Sequence, residues 1–309
     1  MNLKDNPLIK LFSRVNLINE TDLKLFHKGT RDIKEITVLV DKESDSLILD
    51  KCVQDLDEYY SLNENYSKDE HFTLVENEYL KTPPLEDDYV RYGLYKEFLK
   101  NTSVLDFGCG KGGFLKLLKE NNISNDLTGL ELNQTNNKNI NLEGINCLFD
   151  LNNSELKFDF IFLNHVLEHL ENPISVLTDL LSRLNNKGKI IIEIPHGNDF
   201  LIKKSGLVSF KDFTFWSEHL CLYTEKFIRK LFNKLNINEY HISYRQRYNL
   251  NNHINWFKEG KPGGHKIEIF EGKILEDYNK NLIRNSQTDT LMIVIGQNSE
   301  KFSKNIFKN

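Results

Sequence analysis

From residue 103 onward, apolar residues follow two alternating patterns. Short apolar runs typical of strands alternate with stretches in which apolar residues return every three or four positions, as on one face of a helix. Alternation of this kind predicts a parallel sheet with helical crossovers. The predicted strands are 104–107, 127–132, 146–149, 158–164, 189–194, 239–244 and 290–295, and the predicted helices include 112–120 and 173–184.

The first hundred residues have a different pattern. Residues 1 to about 30 are predicted to be mostly helical, and two short strands at 35–40 and 46–49 flank a polar turn. A Tyr-rich, acidic stretch follows and ends at Pro83-Pro84, after which 87–99 has helical periodicity. Because consecutive prolines interrupt regular structure, we place the main domain boundary near Pro84.

These patterns predict three parts of the chain. An N-terminal module with helices and a β-hairpin spans 1–85, the main α/β domain spans 86–299, and 300–309 forms a tail. Two segments exceed a minimal sheet and are predicted as insertions at about 195–223 and 248–285. Loops at the end of such a sheet line the ligand crevice, so we expect both insertions to shape a binding site.

Composition disfavours several classes of protein. The net charge is −5 and the basic residues are dispersed, which disfavours a nucleic-acid or membrane-surface partner. The four cysteines form no CxxC pair, so neither a zinc site nor a disulfide framework is predicted. No signal peptide and no apolar run of about 20 residues is evident. We therefore expect a cytoplasmic protein without a membrane span or a metal; the sequence does not indicate its oligomeric state.

A glycine-rich turn follows the strand at 104–107. Gly108, Gly110 and Gly113 match G-x-G-x-x-G between an apolar strand and an apolar-periodic helix, which suits a nucleotide cofactor. Alone, the turn is compatible with NAD or with S-adenosylmethionine. Asp106, two positions before the first glycine, would repel a pyrophosphate but favours a cationic ammonium group. The turn and Asp106 together favour S-adenosylmethionine.

Two further carboxylates follow predicted strands. Glu131 ends the second strand, where it can accept hydrogen bonds from both ribose hydroxyls of either cofactor. Asp150 follows the third strand and can accept from an adenine amino group, or it can simply close a turn. These carboxylates therefore indicate a nucleoside without identifying which one.

At this point the chain resembles the class I S-adenosylmethionine-dependent methyltransferases. The resemblance covers roughly residues 88–240 and rests on VLDFGCGKGGFL, LTGLELN, CLFD, FDFIFLNHVLEHLENP and KGKIIIEIP, in that order. It implies an α/β, Rossmann-like, seven-stranded sheet, mostly parallel with an antiparallel last strand, and helices on both faces. It also implies cofactor contacts from Asp106, Gly108, Cys109, Gly110, Glu131, Leu132, Asp150, Asn164 and His165.

The segment His165-Val166-Leu167-Glu168-His169 also spells H-x-x-E-H, a zinc-peptidase signature that needs two histidines on one helix face. Here it begins at the end of an apolar strand and is followed by Asn172-Pro173, which interrupts the required helix. We therefore prefer the interpretation that the methyltransferase resemblance implies. In that family this segment is largely structural and lies near the reaction centre.

The first insertion ends in Trp216-Ser217-Glu218-His219-Leu220, which resembles the E-H-L segment of sugar methyltransferases, including sugar C-methyltransferases. Unlike those C-methyltransferases, the chain lacks a cysteine-rich zinc module, so the sequence favours O-methylation over C-methylation. Transfer to a hydroxyl requires a proton acceptor, for which His219, His165 and Glu218 are candidates. We predict that His219 is the base, although a purely packing role for it is the alternative.

The second insertion is rich in amides, aromatic residues and cations, and similar segments occur in methyltransferases linked to bacterial surface polysaccharides. Aromatic rings stack on sugars and arginine pairs with phosphate. The predicted acceptor is a sugar, a sugar nucleotide or a phosphorylated glycan group in capsule or lipopolysaccharide synthesis. The alternatives are a sugar C-methyltransferase, an NAD enzyme acting on nucleotide sugars, and a non-catalytic cofactor-binding subunit. Predicted substrate-binding residues are Trp216, Arg245, Arg247, His253, Trp256, Lys261 and His265.

Overall fold

A computed structural model describes residues 2–54, 83–152, 154–264 and 267–307. Its strands and helices alternate from residue 103 onward, as the apolar pattern predicts. The strands are β1 (Leu3–Asp5), β2 (Leu23–Lys28), β3 (Thr37–Asp41), β4 (Leu47–Leu49), β5 (Lys51–Val53), β6 (Ser103–Phe107), β7 (Asp126–Leu130), β8 (Asn146–Leu148), β9 (Phe158–Asn164), β10 (Leu184–Pro195), β11 (Cys221–Leu222), β12 (Tyr240–Arg245) and β13 (Thr290–Ile295).

Helices connect these strands, and two of them begin at a side-chain cap. Asn172 Oδ1 accepts from Ser175 N, and Thr224 Oγ1 accepts from Phe227 N. The helices are α1 (Pro7–Arg14), α2 (Glu86–Tyr95), α3 (Gly113–Glu120), α4 (Gln134–Leu142), α5 (Pro173–Ser182), α6 (Phe200–Lys203), α7 (Val208–Thr214), α8 (Glu225–Lys234), α9 (Leu250–Glu259), α10 (Lys273–Arg284) and α11 (Ser299–Ile306).

The fold class is α/β, as predicted. A seven-stranded sheet has the order β12-β13-β10-β9-β6-β7-β8, with β6 parallel to β7 and β9, and β7 parallel to β8. The sheet is mostly parallel, with antiparallel last strands and flanking helices. This arrangement brings the carboxyl ends of β6, β7 and β8 to one edge, where ligands bind in open α/β sheets.

The chain divides into two compact units. The first unit comprises Met1–Gln54, His165–Thr178 and Ile192–Ile293, and the second comprises Asp55–Asn164, Asp179–Ile191 and Val294–Asn309. Within the described residues, no helix combines the length and apolar character needed to cross a membrane.

The second unit has its own apolar core. Phe114 and Leu118 of α3 pack with Val104 and Phe162 of neighbouring strands, and all four side chains are buried. Most of the predicted tail, 300–309, forms helix α11, whose Phe302 joins this core. This packing fixes the turn between β6 and α3.

The first unit contains an antiparallel sheet of order β11-β4-β3-β2. Strands β3 and β4 confirm the predicted pair flanking a polar turn. The prediction that residues 1–30 are mostly helical is wrong. Asn6 caps α1 and Pro7 begins it, and the helix ends at Arg14. Residues 23–28 form strand β2, which pairs with β3.

Strand β11 pairs with β4 and thereby joins the end of the first predicted insertion to the N-terminal residues. Phe215 and Leu222 pack in one buried cluster with Val38 and Leu47. Asn6 Nδ2 also donates to the backbone carbonyls of Leu49 and Leu220, at 2.9 and 3.3 Å. The segment containing Glu218 and His219 is therefore held at both ends by packed structure.

Candidate active site

The glycine-rich turn lies between β6 and α3 in the second unit. Gly108 N and Cys109 N donate to the Leu130 carbonyl at 2.8 and 3.0 Å, which ties the turn to β7. Gly108 and Gly110 have φ of 72° and 54°, a region that favours glycine. A Cβ placed on Gly110 would meet no atom within 4 Å, so the backbone faces open space.

Asp106 and Asn164 lie beside this turn. Asn164 Nδ2 donates to Asp106 Oδ1 at 3.2 Å, and Asn164 Oδ1 is buried without a hydrogen-bond partner among the described residues. Asp106 is 4% exposed, and burial raises its pKa to about 7 although Arg91 opposes this shift. An arriving cation would stabilise the ionised carboxylate. The pair therefore suits the ammonium group of S-adenosylmethionine.

Glu131 braces the same turn from the residue after β7. Its Oε2 accepts from Gly110 N at 2.8 Å, and its Oε1 accepts from Asn133 N at 2.7 Å. Burial raises the pKa of Glu131, and these backbone hydrogen bonds oppose that shift. Each carboxylate oxygen retains a second lone pair, so the side chain can also accept from a ribose diol.

Apolar surface is exposed after β7 and β8. Leu132 is 36% exposed and Phe149 is 50% exposed, so both side chains are accessible to a ligand. Asp150 is exposed, and its Oδ1 accepts from Asn152 N at 2.8 Å, closing a turn. Phe149 was missed by the sequence analysis, although its position next to Asp150 was a signal. The contact of Asp150 with adenine stays a prediction.

Cys109 lies on the inner side of the turn. Its Sγ is 4.0 Å from Cys147 Sγ, and this contact and burial hold its pKa well above the usual range. A Cβ on Gly129 would lie 2.7 Å from the same sulfur, so the thiol packs against β7. Its predicted contact with the cofactor stays a prediction.

The residues of the turn therefore fit S-adenosylmethionine. Asp106 and Asn164 would hold its amino-acid end, Glu131 its ribose, and Phe149 with Asp150 its adenine. When bound, the cofactor supplies an electrophilic methyl group on a sulfonium sulfur.

In the first unit, His165 is the centre of a second polar group. Its Nδ1 lies 3.3 Å from Glu168 Oε1, and its Nε2 lies 3.0 Å from Arg247 Nη1 and 3.6 Å from Glu193 Oε1. His165 has a left-handed backbone with φ of 55°, which is strained for a non-glycine residue. The side chain is 27% exposed and can therefore meet a ligand.

Two carboxylates beside His165 are buried. Glu168 and Glu193 are completely buried, and Glu193 Oε1 lies 3.2 Å from Arg245 Nη1. Burial lowers the pKa of His165, but hydrogen bonds to Glu168 and Glu193 outweigh it and give a raised pKa. Buried charges persist only when they are paired or serve a function.

Glu193 is not among the site residues predicted from the sequence. One signal was available, because Glu193 is the single charged residue within the apolar run 190–194. A charge among residues that all face a core is costly unless a partner lies nearby. The partners Arg245 and His165 come from distant parts of the chain, so local pattern could not pair them with Glu193.

His169 and His219 form a neighbouring contact. Their ring centroids are 4.8 Å apart, and burial lowers the pKa of each to about 3. The segment His165–His169 contains a 3₁₀ turn, Leu167–His169, in place of an α-helix. The two histidines of the zinc-peptidase signature therefore do not share a helix face.

The N-terminal residues hold the Trp216–His219 segment. Asp32 accepts from Ser217 N at 3.1 Å and from the Ser217 hydroxyl. The Arg31 guanidinium lies 4.2 Å from the Trp216 ring centroid, and Trp216 packs against His219. The predicted residues Trp216, Glu218 and His219 thus lie in one short segment, which Arg31 and Asp32 contact.

Other predicted substrate residues lie in packed surroundings. His253 is buried, bonds Tyr278 Oη through Nδ1 at 2.7 Å and stacks on Phe200. Trp256 is buried against Phe210 and Phe213, so its ring is packed rather than open. Lys261 is exposed, while His265 lies outside the described residues. A role for these residues in acceptor binding stays a prediction.

Comparison with known proteins identifies the family. A sequence profile of the methyltransferase domain matches residues 78–241, more than half of the chain. A tRNA U34 carboxymethyltransferase of Campylobacter fetus is 27% identical over 228 residues, covering 68% of this chain and 73% of the relative. At this identity the acceptor of the relative is not transferred to this chain.

The chain also has partial similarity to solved structures. A SAM-dependent methyltransferase from Archaeoglobus fulgidus has 21% identity and a TM-score of 0.45, covering 67% of this chain and 91% of that one. The plantazolicin methyltransferase BpumL, solved with a monoazolic desmethylPZN analog and SAH, has 20% identity and a TM-score of 0.45, covering 69% and 84%.

The family profile spans the glycine-rich turn, Asp106, Glu131 and Asn164, whose chemistry fits the cofactor on independent grounds. The chain belongs to the methyltransferase domain family and is an S-adenosylmethionine-dependent methyltransferase.

Proposed function

We propose that the chain methylates a hydroxyl group on a small polyhydroxylated acceptor, such as a sugar, a sugar nucleotide or a phosphorylated glycan group. The single observation that supports this proposal is the His165 group, in which a partly exposed imidazole contacts buried carboxylates and an arginine. Methyl transfer to a hydroxyl requires loss of one proton, and an oriented imidazole can accept it.

His165 is a better candidate base than His219. Glu168 contacts Nδ1 of His165, which is the base-and-orienter arrangement found where an imidazole must accept a proton at its other nitrogen. Its Nε2 is the nitrogen that Arg247 contacts, so an acceptor hydroxyl would replace that contact. His165 also directly follows Asn164 in the chain. We therefore assign the base to His165 and leave Glu218 as a substrate-positioning candidate.

The polar groups near His165 suit a compact acceptor with many hydroxyls. Arg245 and Arg247 supply donors, and Glu193 supplies an acceptor. Asp289 receives the backbone N–H groups of Arg247 and Tyr248, at 3.0 and 2.9 Å, which fixes the direction of this segment. A net charge of −5 provides no attraction for tRNA phosphates.

The proposal is tested by incubating the purified chain and S-adenosylmethionine with extracts of nucleotide sugars and glycans, followed by mass spectrometry. The expected product gains about 14 Da, the CH₂ that methylation adds, and NMR places it on oxygen. Labelling of tRNA alone, or of a sugar carbon, would contradict the proposed acceptor and atom respectively.

Variants then test the base. His165→Asn is expected to reduce kcat by about 10²- to 10⁴-fold, the usual contribution of a general base. His27→Asn is the control, because His27 pairs with Asp212 elsewhere in the first unit. Turnover of His165→Asn near the wild-type rate would assign the proton to another group.

A further inference from the structure

Glu168, His169 and His219 form a three-residue group distinct from the residues assigned to the cofactor. One possible ligand atom from each residue lies within 4.8 Å of the other two. Glu168 and His169 belong to the 3₁₀ turn after Val166, while His219 immediately precedes the buried Leu220. All three residues lie in the first unit, so their arrangement depends on that unit alone.

Glu168 is the unexplained member of this group. Its side chain is completely buried, and its Oε1 contacts His165. Its Oε2 is buried and accepts no hydrogen bond among the described residues. Leaving a buried carboxylate oxygen unsatisfied costs on the order of 1–3 kcal/mol or more, so a missing partner is expected there.

Both histidines are held in fixed orientations. A ring nitrogen of His169 donates to the backbone carbonyl of Glu218, and its Nε2 lies 4.0 Å from Glu168 Oε1. The His219 ring meets the His169 ring at 84° and is flanked by Trp216. A backbone acceptor on one imidazole nitrogen, leaving the other nitrogen for a ligand, is the usual support of a metal-binding histidine.

The donor set selects a class of ion. Two imidazoles and one carboxylate suit Zn²⁺ and neighbouring first-row divalent metals, whereas Mg²⁺ and Ca²⁺ prefer oxygen donors. Zn–N and Zn–O bonds of about 2.0–2.2 Å place tetrahedral ligands about 3.4 Å apart. The observed spread of up to 4.8 Å would therefore contract by about 1.4 Å around a bound ion.

We propose that Glu168, His169 and His219 bind one divalent transition-metal ion. Three protein ligands leave at least one coordination position for water or another oxygen ligand, as in catalytic rather than structural zinc sites. Glu168 also contacts the proposed base His165, so the site is tested by binding of the metal alone, without an acceptor.

The test begins with the full chain treated with a chelator and dialysed, without cofactor or acceptor. Equilibrium dialysis against Zn²⁺ with elemental analysis is expected to show one tightly bound ion per chain. Co²⁺ is expected to bind in its place and to give the visible absorption of a tetrahedral or five-coordinate site. Less than about one fifth of an ion per chain, well short of the single ion that one site per chain requires, would overturn the proposal.

His219→Ala and Glu168→Gln are expected to weaken Zn²⁺ binding by on the order of 100-fold or more, since each removes a ligand. Glu168→Gln is nearly isosteric and serves if His219→Ala does not fold, as judged by circular dichroism. The control is His27→Ala, which removes a histidine that pairs with Asp212 instead. This variant is expected to bind Zn²⁺ like the wild type. Equal stoichiometry and affinity in all variants would show surface binding only and would contradict the site.

Discussion

Asn164 Nδ2 donates a hydrogen bond to Asp106 Oδ1 at 3.2 Å, joining the ends of two neighbouring parallel strands. This bond leaves Asn164 Oδ1 buried without a partner among the described residues, while Asp106 is almost completely buried. The pair is thus costly in the empty protein, and a bound ammonium group would satisfy both side chains.

Cofactor affinity is expected to depend on pH. Burial raises the pKa of Asp106 to about 7, and a bound cation lowers it again by favouring the carboxylate. S-adenosylhomocysteine should therefore bind about tenfold more tightly at about pH 8 than at about pH 6, with proton release on binding. Calorimetry in two buffers of different ionisation enthalpy measures both quantities. Asp106→Asn should bind weakly and without this pH dependence; equal wild-type affinity at both pH values would contradict the prediction.

The same residue is expected to destabilise the protein without cofactor. Because the pKa of Asp106 is higher in the folded than in the unfolded chain, the free energy of unfolding falls as pH rises from about 4 to about 7. Asp106→Asn removes this penalty and keeps the hydrogen bond from Asn164. At about pH 8 the variant should be more stable by on the order of 1–3 kcal/mol, and the difference should vanish near pH 4. Urea denaturation at both pH values checks this, and an equal loss of stability at both would refute it.

Two glycines of the turn should respond differently to alanine. At Gly113 a Cβ would lie 2.0 Å from Asp88 Oδ2, displacing a carboxylate that accepts from Leu85 N at 2.8 Å. Gly113→Ala is therefore expected to cost about 1–3 kcal/mol of stability through overpacking. At Gly110 a Cβ has open space and costs about 1–2 kcal/mol because φ is positive.

Gly110→Ala, however, places a methyl group in the space assigned to the cofactor. Its S-adenosylhomocysteine affinity should fall by at least about tenfold, equivalent to 1.4 kcal/mol, in a protein that is still folded. Thermal unfolding and calorimetry on both variants separate the two effects. Unchanged affinity in Gly110→Ala would place the cofactor elsewhere.

The sequence predicted the fold well where the local pattern of apolar residues defines a strand. Strands β9 and β13 have the predicted bounds, because each contains at least four consecutive apolar residues, 160–163 in β9 and 291–295 in β13. Residues 1–30 were misread because β2 is stabilised by pairing with β3, which the local sequence does not reveal. Tertiary pairing overrides local propensity in such short strands.

The candidate site was predictable to different degrees. Asp106 and Glu131 occupy fixed places relative to the glycine turn, so sequence order alone located them. The group of His165, Glu193 and Arg247 could not be inferred, since its members are separated by long stretches of chain. Local sequence also left His219 as the preferred base, whereas its buried contact with His169 distinguishes it from the partly exposed His165.

The Glu193–Arg245 pair gives the last prediction. Glu193 is completely buried and its Oε1 lies 3.2 Å from Arg245 Nη1, while Arg245 is 20% exposed. Arg245→Met leaves a buried carboxylate with less compensation, so the free energy of unfolding should fall by about 2–4 kcal/mol, less than for a fully enclosed pair. Glu193→Gln combined with Arg245→Met removes the charge as well and should recover at least half of that loss. A double-mutant cycle by urea denaturation measures the coupling. If the double variant is as unstable as the sum of the single variants, the two side chains do not stabilise each other, and Glu193 is balanced by His165 instead.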